Sequence, residues 1–527
     1  MNYENFLAEH DNIACYDAEH RKWYRINSFE IRQGQFSKME LSDASIDNIS
    51  CYILPGFIDA HCHLLENPYP CDLSTNSQSL PSVALNNALT ASRNGVTTLK
   101  DMGGYEYQAI EIIKTLANFK VPRLFTSGCY FTTPGGHCSD HGAIIITDIN
   151  SFYQKIQRLL NHNIKFCKII NSDDGFSSDL LCKMIDYAHQ CGMLVSCHAY
   201  TEKAAYQAVL AGTDILEHAG DYSDKLLNLI QENNIIIVPT FVAAVDSTPQ
   251  NCEVLSDVNN AVLQEWIHGE NVVIPKIFSK KLRVALGTDS GFLGTPCDSL
   301  LREIKLIHNR FSIPISDLLF SAFVVTPATV GMEHKLGKIE CGYYADFLCY
   351  DLNPVDNIDV LMNPKEVWIN GERVDNTLSS KIVIRRLEPK DLSSISLHMQ
   401  NYYFDCAQLD DYWTNDEILA WIRDSSDYCI GAFANNILIG FGLTHYHKAT
   451  NKVHIENIFV LEQYRNEGVA QRLVFDIIAY YCGRSTNKIR FVGLSDTTNQ
   501  STIGLLEKNK FVKGHPMYWM QYNSHEN

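Results

Sequence analysis

The sequence predicts an α/β protein: a (β/α)8 barrel accompanied by a small β-sandwich built from both of its flanks, followed by a separate α+β domain. Three observations predict it. Eight short apolar runs alternate with stretches of helical periodicity over residues 53–335, the pattern of a parallel sheet closed into a barrel. Two turn-rich segments, 1–52 and 336–378, flank that array without helical periodicity. After the polar stretch Asp375–Ser380 a fresh strand and helix begin at Ile382, and residues 379–527 are enough for an independent domain.

Taken in order, residues 1–52 carry short alternating segments and no basic region followed by an apolar core, so no export signal is read there. The eight runs are ILPGFIDAHCH (53–63), VTTLKDMGG (96–104), RLFTSG (123–128), KFCKII (165–170), MLVSCHA (193–199), DILEHA (214–219), IIIVPT (235–240) and RVALGTDSG (283–291). They are too short and too β-branched to be helices. The segments between them read as helical; from Ser177 to Cys191, for example, Leu180, Leu181, Met184, Ile185 and Ala188 recur at three- and four-residue spacing. After the barrel, LGKIECGYYADFLCYDLNPVDNI (336–358) and EVWINGERV (366–374) are β-rich and are expected to pair with the first flank.

The net charge of -18 argues against non-specific binding to nucleic acid or to an anionic membrane surface. From residue 380 onward 15 Lys+Arg face 16 Asp+Glu, so nearly all of that charge belongs to the first part of the chain. No stretch reaches the 18 or so uninterrupted apolar residues of a membrane helix. The 17 cysteines lack paired metal-site spacing, and Cys167 and Cys197 sit inside apolar strands as small core residues. A cytoplasmic, reducing location is expected.

Five of the runs end in side chains that bind metals: His61 and His63, Lys168, His198, His218 and Asp289. The carboxyl ends of barrel strands share one mouth, so these residues are expected to converge. Histidines two apart on a strand face the same way, as a pair gripping one ion must. The order PGFIDAHCH, TTLKDMGG, CKII, CHA, EHA and ALGTDSG, with GKIECGYYADF after the barrel, strongly resembles the amidohydrolase superfamily over about residues 50–375. The resemblance implies a divalent-metal hydrolase of carbon–nitrogen bonds holding one or two ions, zinc suiting a nitrogen-rich site best. It implies His61, His63 and Asp289 on the more buried ion and His198 and His218 on a second. Lys168 matches the lysine that, carboxylated by carbon dioxide, bridges both. Asp289 would take the proton of the attacking water and pass it to the leaving nitrogen.

Thr133-Pro-Gly-Gly-His137 resembles the TxGGH loop of the Xaa-Pro dipeptidase and imidazolonepropionase-like branch, which implies that His137 holds or polarises the substrate carbonyl. Tyr200, two residues past His198, is expected to line the pocket. Deaminating relatives often carry a glutamate where this chain has Thr201, so hydrolysis of an amide, dipeptide or N-acyl amino acid ranks first, and of a cyclic amide next. A substrate carboxylate would need a cation, with Arg93, Lys165 and Arg283 the candidates.

In the last domain, IENIFVLEQYRNEGVAQRLV (455–474) joins a strand to a helix through a glycine loop of the kind that brings backbone amides and a helix N-terminus to a phosphate. It closely resembles the pyrophosphate motif of GNAT acetyltransferases, and the resemblance extends over about 382–521. It implies an acetyl-CoA site at Val460, Arg465, Asn466, Glu467, Gly468, Val469, Ala470 and Asn499, with Glu456 the base that takes a proton from the acceptor amine. Two departures stand out: Leu506 replaces the tyrosine that protonates the leaving thiolate, and Lys510 replaces the glycine before Phe511. Tyr518 or a water would have to substitute, or the domain binds acetyl-CoA as a sensor. The expectation is a bifunctional enzyme acting on small molecules, with homo-oligomerisation left open.

Overall fold

The structure is a computed structural model. It describes residues 10, 12–43, 48–67, 79–105, 107–117, 119–140, 142–246, 260–291, 294–374, 382–404, 414–434, 437–484, 488–493 and 500–514. The chain divides into two compact units, Met1–Ser380 and Lys381–Asn527.

The first unit opens with β1 (Ile13–Asp17), β2 (Lys22–Arg32), β3 (Gln35–Asp43) and β4 (Cys51–Pro55). Gln33 and Gly34, both at positive φ (51° and 74°), make the tight turn between β2 and β3. β1 pairs antiparallel with β2 and parallel with β4.

Ten parallel strands follow: β5 (Phe57–Cys62), β6 (Val96–Asp101), β7 (Arg123–Thr126), β8 (Tyr130–Thr132), β9 (Ile144–Ile145), β10 (Phe166–Ile170), β11 (Leu194–His198), β12 (Ile215–Glu217), β13 (Ile236–Val238) and β14 (Arg283–Val284). They pair as β5-β6-β7 and as β14-β13-β12-β11-β10-β8-β9. The third stave runs past its predicted end: β7 bonds β6, the chain turns at Gly128 (φ 74°), and β8, beyond the predicted run, continues the stave against β10. A Cβ on Gly128 would come within 2.8 Å of Ile110, so glycine is required there. The last run extends past β14. Leu286 O accepts the Ala60 N–H (3.0 Å), His61 O accepts the Asp289 N–H (2.7 Å), and Ser290 O accepts the His63 N–H (2.7 Å). Those bonds tie the eighth stave to the first.

Each stave is followed by a helix: Leu80–Arg93, Gln108–Leu116, Ile149–Asn161, Ser178–Gln190, Glu202–Leu210, Asp224–Glu232, Asn260–Ser279 and Leu300–Phe311. Local sequence starts them, with Ser79, Asp148, Ser177, Thr201 and Ser223 accepting backbone N–H groups as N-caps. The helix begun by Ser177 buries Leu181, Met184, Ile185 and Ala188, while Leu180 is half-buried.

β15 (Phe347–Tyr350), β16 (Glu366–Ile369) and β17 (Glu372–Arg373) then return to the first flank, giving one seven-stranded sheet β17-β16-β15-β4-β1-β2-β3. The sandwich is this single sheet curled on itself: Phe36 of β3 lies 6.1 Å from Phe347 on β15, and the Phe36 N–H donates to Tyr343 O (2.9 Å). Phe29, Phe36, Phe347 and Trp368 fill the fold, Phe347 and Trp368 stacking at 5.3 Å. Each such buried ring stabilises it by about 2–3 kcal/mol. The cysteines read as core residues, Cys167 and Cys197, are fully buried, and all cysteines among the described residues are free.

The second unit is a five-stranded sheet, β18 (Ile382–Arg386), β19 (Ile430–Ala434), β20 (Ile437–His447), β21 (Lys452–Val460) and β22 (Arg490–Gly493), paired in that order. All neighbours are antiparallel except β21 and β22. Ile395 and Met399 of helix Leu392–Phe404 and Ile418 and Ile422 of helix Asn415–Arg423 pack with Phe441, Leu443 and Phe459. Val469, Leu473 and Ile477 of helix Val469–Arg484 pack with Ile439, Val453 and Ile455. The two sets lie on opposite faces of the sheet although Ile439 and Phe441, or Ile455 and Phe459, are an even number of residues apart, because one-residue bulges at Ile439 and Glu456 switch the face.

Helix Gln500–Lys508 ends in a Schellman motif: Phe511 N–H donates to Leu506 O (3.0 Å) and Lys510 N–H to Glu507 O (2.9 Å), with Lys510 at φ 66°. A side chain in the left-handed region costs about 1–2 kcal/mol, which explains why Lys510 reads as a departure at a glycine position. Lys510→Gly is therefore expected to slow amide exchange over Gln500–Phe511 by about fivefold or more. Unchanged or faster exchange would contradict the strain.

Candidate metal centre

Of the six predicted ligands, His61, His63, His198, His218 and Asp289 lie at or just past the carboxyl ends of their staves and Lys168 lies in the middle of β10, and they come together. His61 and His63 straddle Cys62 at the end of β5; His61 Nε2 and His63 Nε2 lie 3.2 and 3.3 Å from the same oxygen, Asp289 Oδ1. The outer nitrogens are anchored: His61 Nδ1 is 2.7 Å from Glu217 Oε2, His63 Nδ1 is 3.1 Å from Gly103 O, and His218 Nδ1 is 2.8 Å from Thr240 Oγ1. Fixing one ring nitrogen in this way aims the other. Ligand atoms of His61, His218 and Asp289 all lie within 4.8 Å of one another. The His198 ring sits edge-on to His218 at 4.6 Å. Three residues here hold positive φ without being glycine: His218 (70°), Thr240 (56°) and Asp289 (54°). Such strain persists where surrounding contacts over-determine the backbone.

Lys168 on β10 is 3% exposed, and its Nζ has no hydrogen-bond partner among the described residues. A charged ammonium buried without a partner is costly, and burial lowers its pKa. Burial also pushes His218 down to about 3 and His198 well below the usual imidazole range. Both rings are thereby kept neutral, with a lone pair to offer. Burial and Lys168 act downward on His61 too, yet the Glu217 and Asp289 carboxylates outweigh them and raise it. Burial alone would raise Asp289; His61 beside it overcomes that and holds the carboxyl well below its ordinary range. Neutral imidazoles, an ionised carboxylate and an orphaned buried amine together fit a divalent cation.

A supporting layer escaped the sequence reading. Glu217 bridges His61 to Lys100, whose Nζ lies 3.3 Å from Glu217 Oε1 and 3.0 Å from Ser196 Oγ; Ser196 also donates to Glu217. Asp59 accepts the His61 and Thr288 N–H groups (3.1 Å each) and the Thr288 hydroxyl (2.6 Å). Asp101 accepts the Leu64 and Gly103 N–H groups (3.0 and 3.1 Å) and the Thr126 hydroxyl (2.7 Å). One signal was present: Asp59, Lys100 and Glu217 are charged residues inside strands whose neighbours are apolar on both faces, where no charge can be solvated.

His137 lies in the turn after β8 and stacks on His198 at 4.9 Å. Tyr200 follows β11 and meets Trp266 edge-on at 6.3 Å, while Trp266 lies 6.2 Å from His218. Trp266, also missed, donates its indole N–H to Glu270 (2.9 Å). Thr201 caps helix Glu202–Leu210 and donates to Asp173, a structural role. The proposed cationic anchors are corrected: Arg93, Lys165 and Arg283 precede or begin β6, β10 and β14, so they stand at the amino ends of the staves, opposite the mouth.

In the second unit Val460 ends β21, and Arg465 through Gly468 form the turn into helix Val469–Arg484. Arg465 Nε donates to Val460 O (3.1 Å); Asn466 and Gly468 take positive φ (65° and 78°). Arg465, Asn466 and Glu467 are exposed, Gly468 and Ala470 half-buried, and Val469 buried. Asn499 and Tyr518 lie outside the described residues. Glu456 is the extra residue of a bulge in β21, since Asn457 pairs with Leu443 and Ile455 with Thr444. Burial raises its carboxyl, His445 opposing and Asp427 adding to the shift.

The strand–helix array and the histidine–aspartate cluster at the carboxyl ends of its strands define an α/β protein with a candidate metal site. Residues 52–374 match the amidohydrolase family, and the chain belongs to that family, whose class acts on carbon–nitrogen bonds. Residues 393–511 match the acetyltransferase (GNAT) family. The chain is 23% identical over 366 residues to an ochratoxinase of Aspergillus niger, covering 61% of this chain and 75% of that protein. It is 20% identical over 357 residues to an imidazolonepropionase of Thermoanaerobacter pseudethanolicus, covering 60% and 80%. Among solved structures, a Xaa-Pro dipeptidase with bound methionine in the active site superposes with TM-score 0.60 at 20% identity, covering 68% of this chain and 98% of that one. The Aspergillus niger ochratoxinase superposes with TM-score 0.58 at 18% identity, covering 68% and 94%. No helix among the described residues is long and apolar enough to cross a membrane.

Proposed function

We propose that the first unit is a metal-dependent hydrolase of a carbon–nitrogen bond in a small amide, such as a dipeptide or N-acyl amino acid, and that the second transfers an acetyl group from acetyl-CoA to an amine. The observation that carries the hydrolase reading is Lys168 Nζ, buried and unpartnered among neutral imidazoles. His61, His63 and Asp289 would hold one cation and His198 and His218 a second, and Lys168, once carboxylated, would offer its oxygens to both. Zinc suits this donor set. When bound, such cations supply Lewis acidity and an acidified water, with pKa near about 7. Asp289 takes the proton of the attacking water and delivers it to the leaving nitrogen. His137 holds the scissile carbonyl, and Tyr200 closes the pocket side near Trp266.

In the second unit the amides of Glu467 to Ala470, with Arg465 and Asn499, hold the pyrophosphate, and Glu456 accepts the amine proton. Leu506 favours a second reading of this unit, an acetyl-CoA sensor beside a cyclic-amide hydrolase: its side chain packs against Gly493, 3.2 Å from where a Cβ would stand there, and offers no acid for a thiolate. The working boundaries are 1–52 and 336–378 for the β-sandwich, whose strand β4 runs on to Pro55, 53–335 for the barrel and 379–527 for the transferase. A cytoplasmic setting is supported by the free, buried thiols.

The test is chelation and reloading of the full chain. Hydrolysis of a panel of dipeptides, N-acyl amino acids and lactams is expected to vanish with the metal and return with about two equivalents of zinc. Turnover that persists in the metal-free chain, or a reloaded chain that cleaves nothing in the panel, would remove the reading.

A further inference from the structure

The second unit carries a polar cluster beside Glu456 that no part of the cofactor loop needs. His445 lies near the end of β20, cross-strand from His454 on β21. Its Nδ1 is 3.0 Å from Asp427 Oδ2, while Asp427 Oδ1 accepts the Tyr446 N–H (2.7 Å). Asp427 is 1% exposed. A carboxylate buried that completely and satisfied by two donors makes His445 Nδ1 the protonated nitrogen, so the lone pair is left on Nε2. The ring is 37% exposed in its side chain, tilted against Trp421 at 6.3 Å and edge-on to His447 at 4.5 Å. His445 and Asp427 are close enough to Glu456 for both to act on its carboxyl. A base oriented by a third group is the arrangement of an activated acid–base catalyst. A histidine that merely decorates a surface strand has no use for a buried aspartate.

We propose that His445, oriented by Asp427, is a catalytic proton acceptor of the acetyltransferase unit and takes the proton from the incoming ammonium beside Glu456; this rests on the transferase reading above. The ammonium gives one proton to His445 Nε2. The freed lone pair forms the nitrogen–carbon bond to the thioester carbonyl. The carbon–sulfur bond then breaks, and the coenzyme leaves as a thiolate that takes the second nitrogen proton. Glu456, half-buried at the bulge, then receives the first proton from the imidazolium, so that His445 is the relay between the amine and Glu456. The charges around the ring are Asp427 and Asp424 from the segment before β19, Glu456, His454 and Lys452 on β21, His447 beside it, and Lys448 from the β20–β21 turn.

The experiment uses the full chain, with acetyl-CoA binding measured by calorimetry. Transfer to a mixture of L-amino acids and spermidine is followed by thiol release and mass spectrometry. His445→Gln is expected to lower kcat by about 100-fold while acetyl-CoA affinity stays within about twofold, and to abolish the acid limb of the kcat profile. Asp427→Asn is expected to lower kcat by about 10-fold with the KM for acetyl-CoA unchanged, because His445 loses the acceptor that fixes its Nδ1 proton. His447→Gln should leave kcat within about twofold. His445→Asn, read in the same way, covers any disturbance of the sheet by glutamine. A His445 variant that keeps kcat within about threefold and retains the acid limb overturns the proposal. So does a wild-type chain that binds acetyl-CoA and acetylates none of the acceptors. A chain that binds no acetyl-CoA overturns the transferase reading itself, and this inference with it.

Discussion

Lys168→Ala is expected to lower amide hydrolysis by on the order of 1000-fold and to reduce the bound metal from about two equivalents to one or fewer. The reason lies in what burial does to this amine. Lys168 Nζ is shielded from water and has no hydrogen-bond partner among the described residues, and its pKa is lowered by burial, with the Glu217 and Asp289 carboxylates opposing. The neutral amine has the lone pair that carbon dioxide requires, whereas an ammonium has none. Once carboxylated, the side chain presents two anionic oxygens in place of a charge with no partner. Three checks follow: metal content by elemental analysis, kcat/KM on the best amide, and the intact mass of the chain under bicarbonate. Small carboxylates such as acetate should restore part of the alanine variant's activity by filling the vacated space with the same oxygens. A variant that keeps its full metal complement and stays within about fivefold of wild-type kcat/KM would show that Lys168 is a silent core lysine.

How far this site was legible depended on what each residue had to do locally. The ligands stood out because each terminates an apolar run, and a barrel collects strand ends at one mouth. Asp59, Lys100 and Glu217 were equally visible as letters, but their meaning lies in contacts between staves 100 or so residues apart: Lys100 and Glu217 are separated by 117 positions. Periodicity within a strand carries no such information. The continuation of the third stave beyond Gly128 was hidden for a related reason, since RLFTSG ends there and only pairing with β10 shows that Tyr130–Thr132 belongs to the stave. Trp266 lies in a helix whose pattern gives no hint that its ring reaches His218. The flanking strands were placed together by default, as two β-rich segments without helical faces, and the structure joins them through β15 against β4. The cationic anchors failed because type alone nominated them, with no regard for which end of a stave each occupies.

The buried pair of Lys100 and Glu217 supports the second large expectation, in which stability and metal affinity separate. Both side chains are fully buried, and Glu217 also holds His61 Nδ1. Burial would raise the Glu217 carboxyl, but Lys100 and His61 overcome it and hold it well below the usual range. Lys100→Met leaves a buried carboxylate short of one cation, which is expected to destabilise the metal-free unit by about 3–5 kcal/mol. Adding Glu217→Gln removes the stranded charge, and most of that loss should return, because an apolar residue facing a neutral amide has no ion left to desolvate. Metal affinity should follow the opposite order. Lys100→Met alone keeps the carboxylate that polarises His61, and its unneutralised charge favours a cation nearby. The double variant replaces that carboxylate by an amide, so the imidazole becomes a weaker ligand and affinity falls by about 10–100-fold. Denaturant unfolding of the metal-free chains, beside metal titration of the same variants, separates the two quantities. If the double variant is less stable than Lys100→Met and binds metal as tightly as wild type, then Glu217 serves packing and not the orientation of His61.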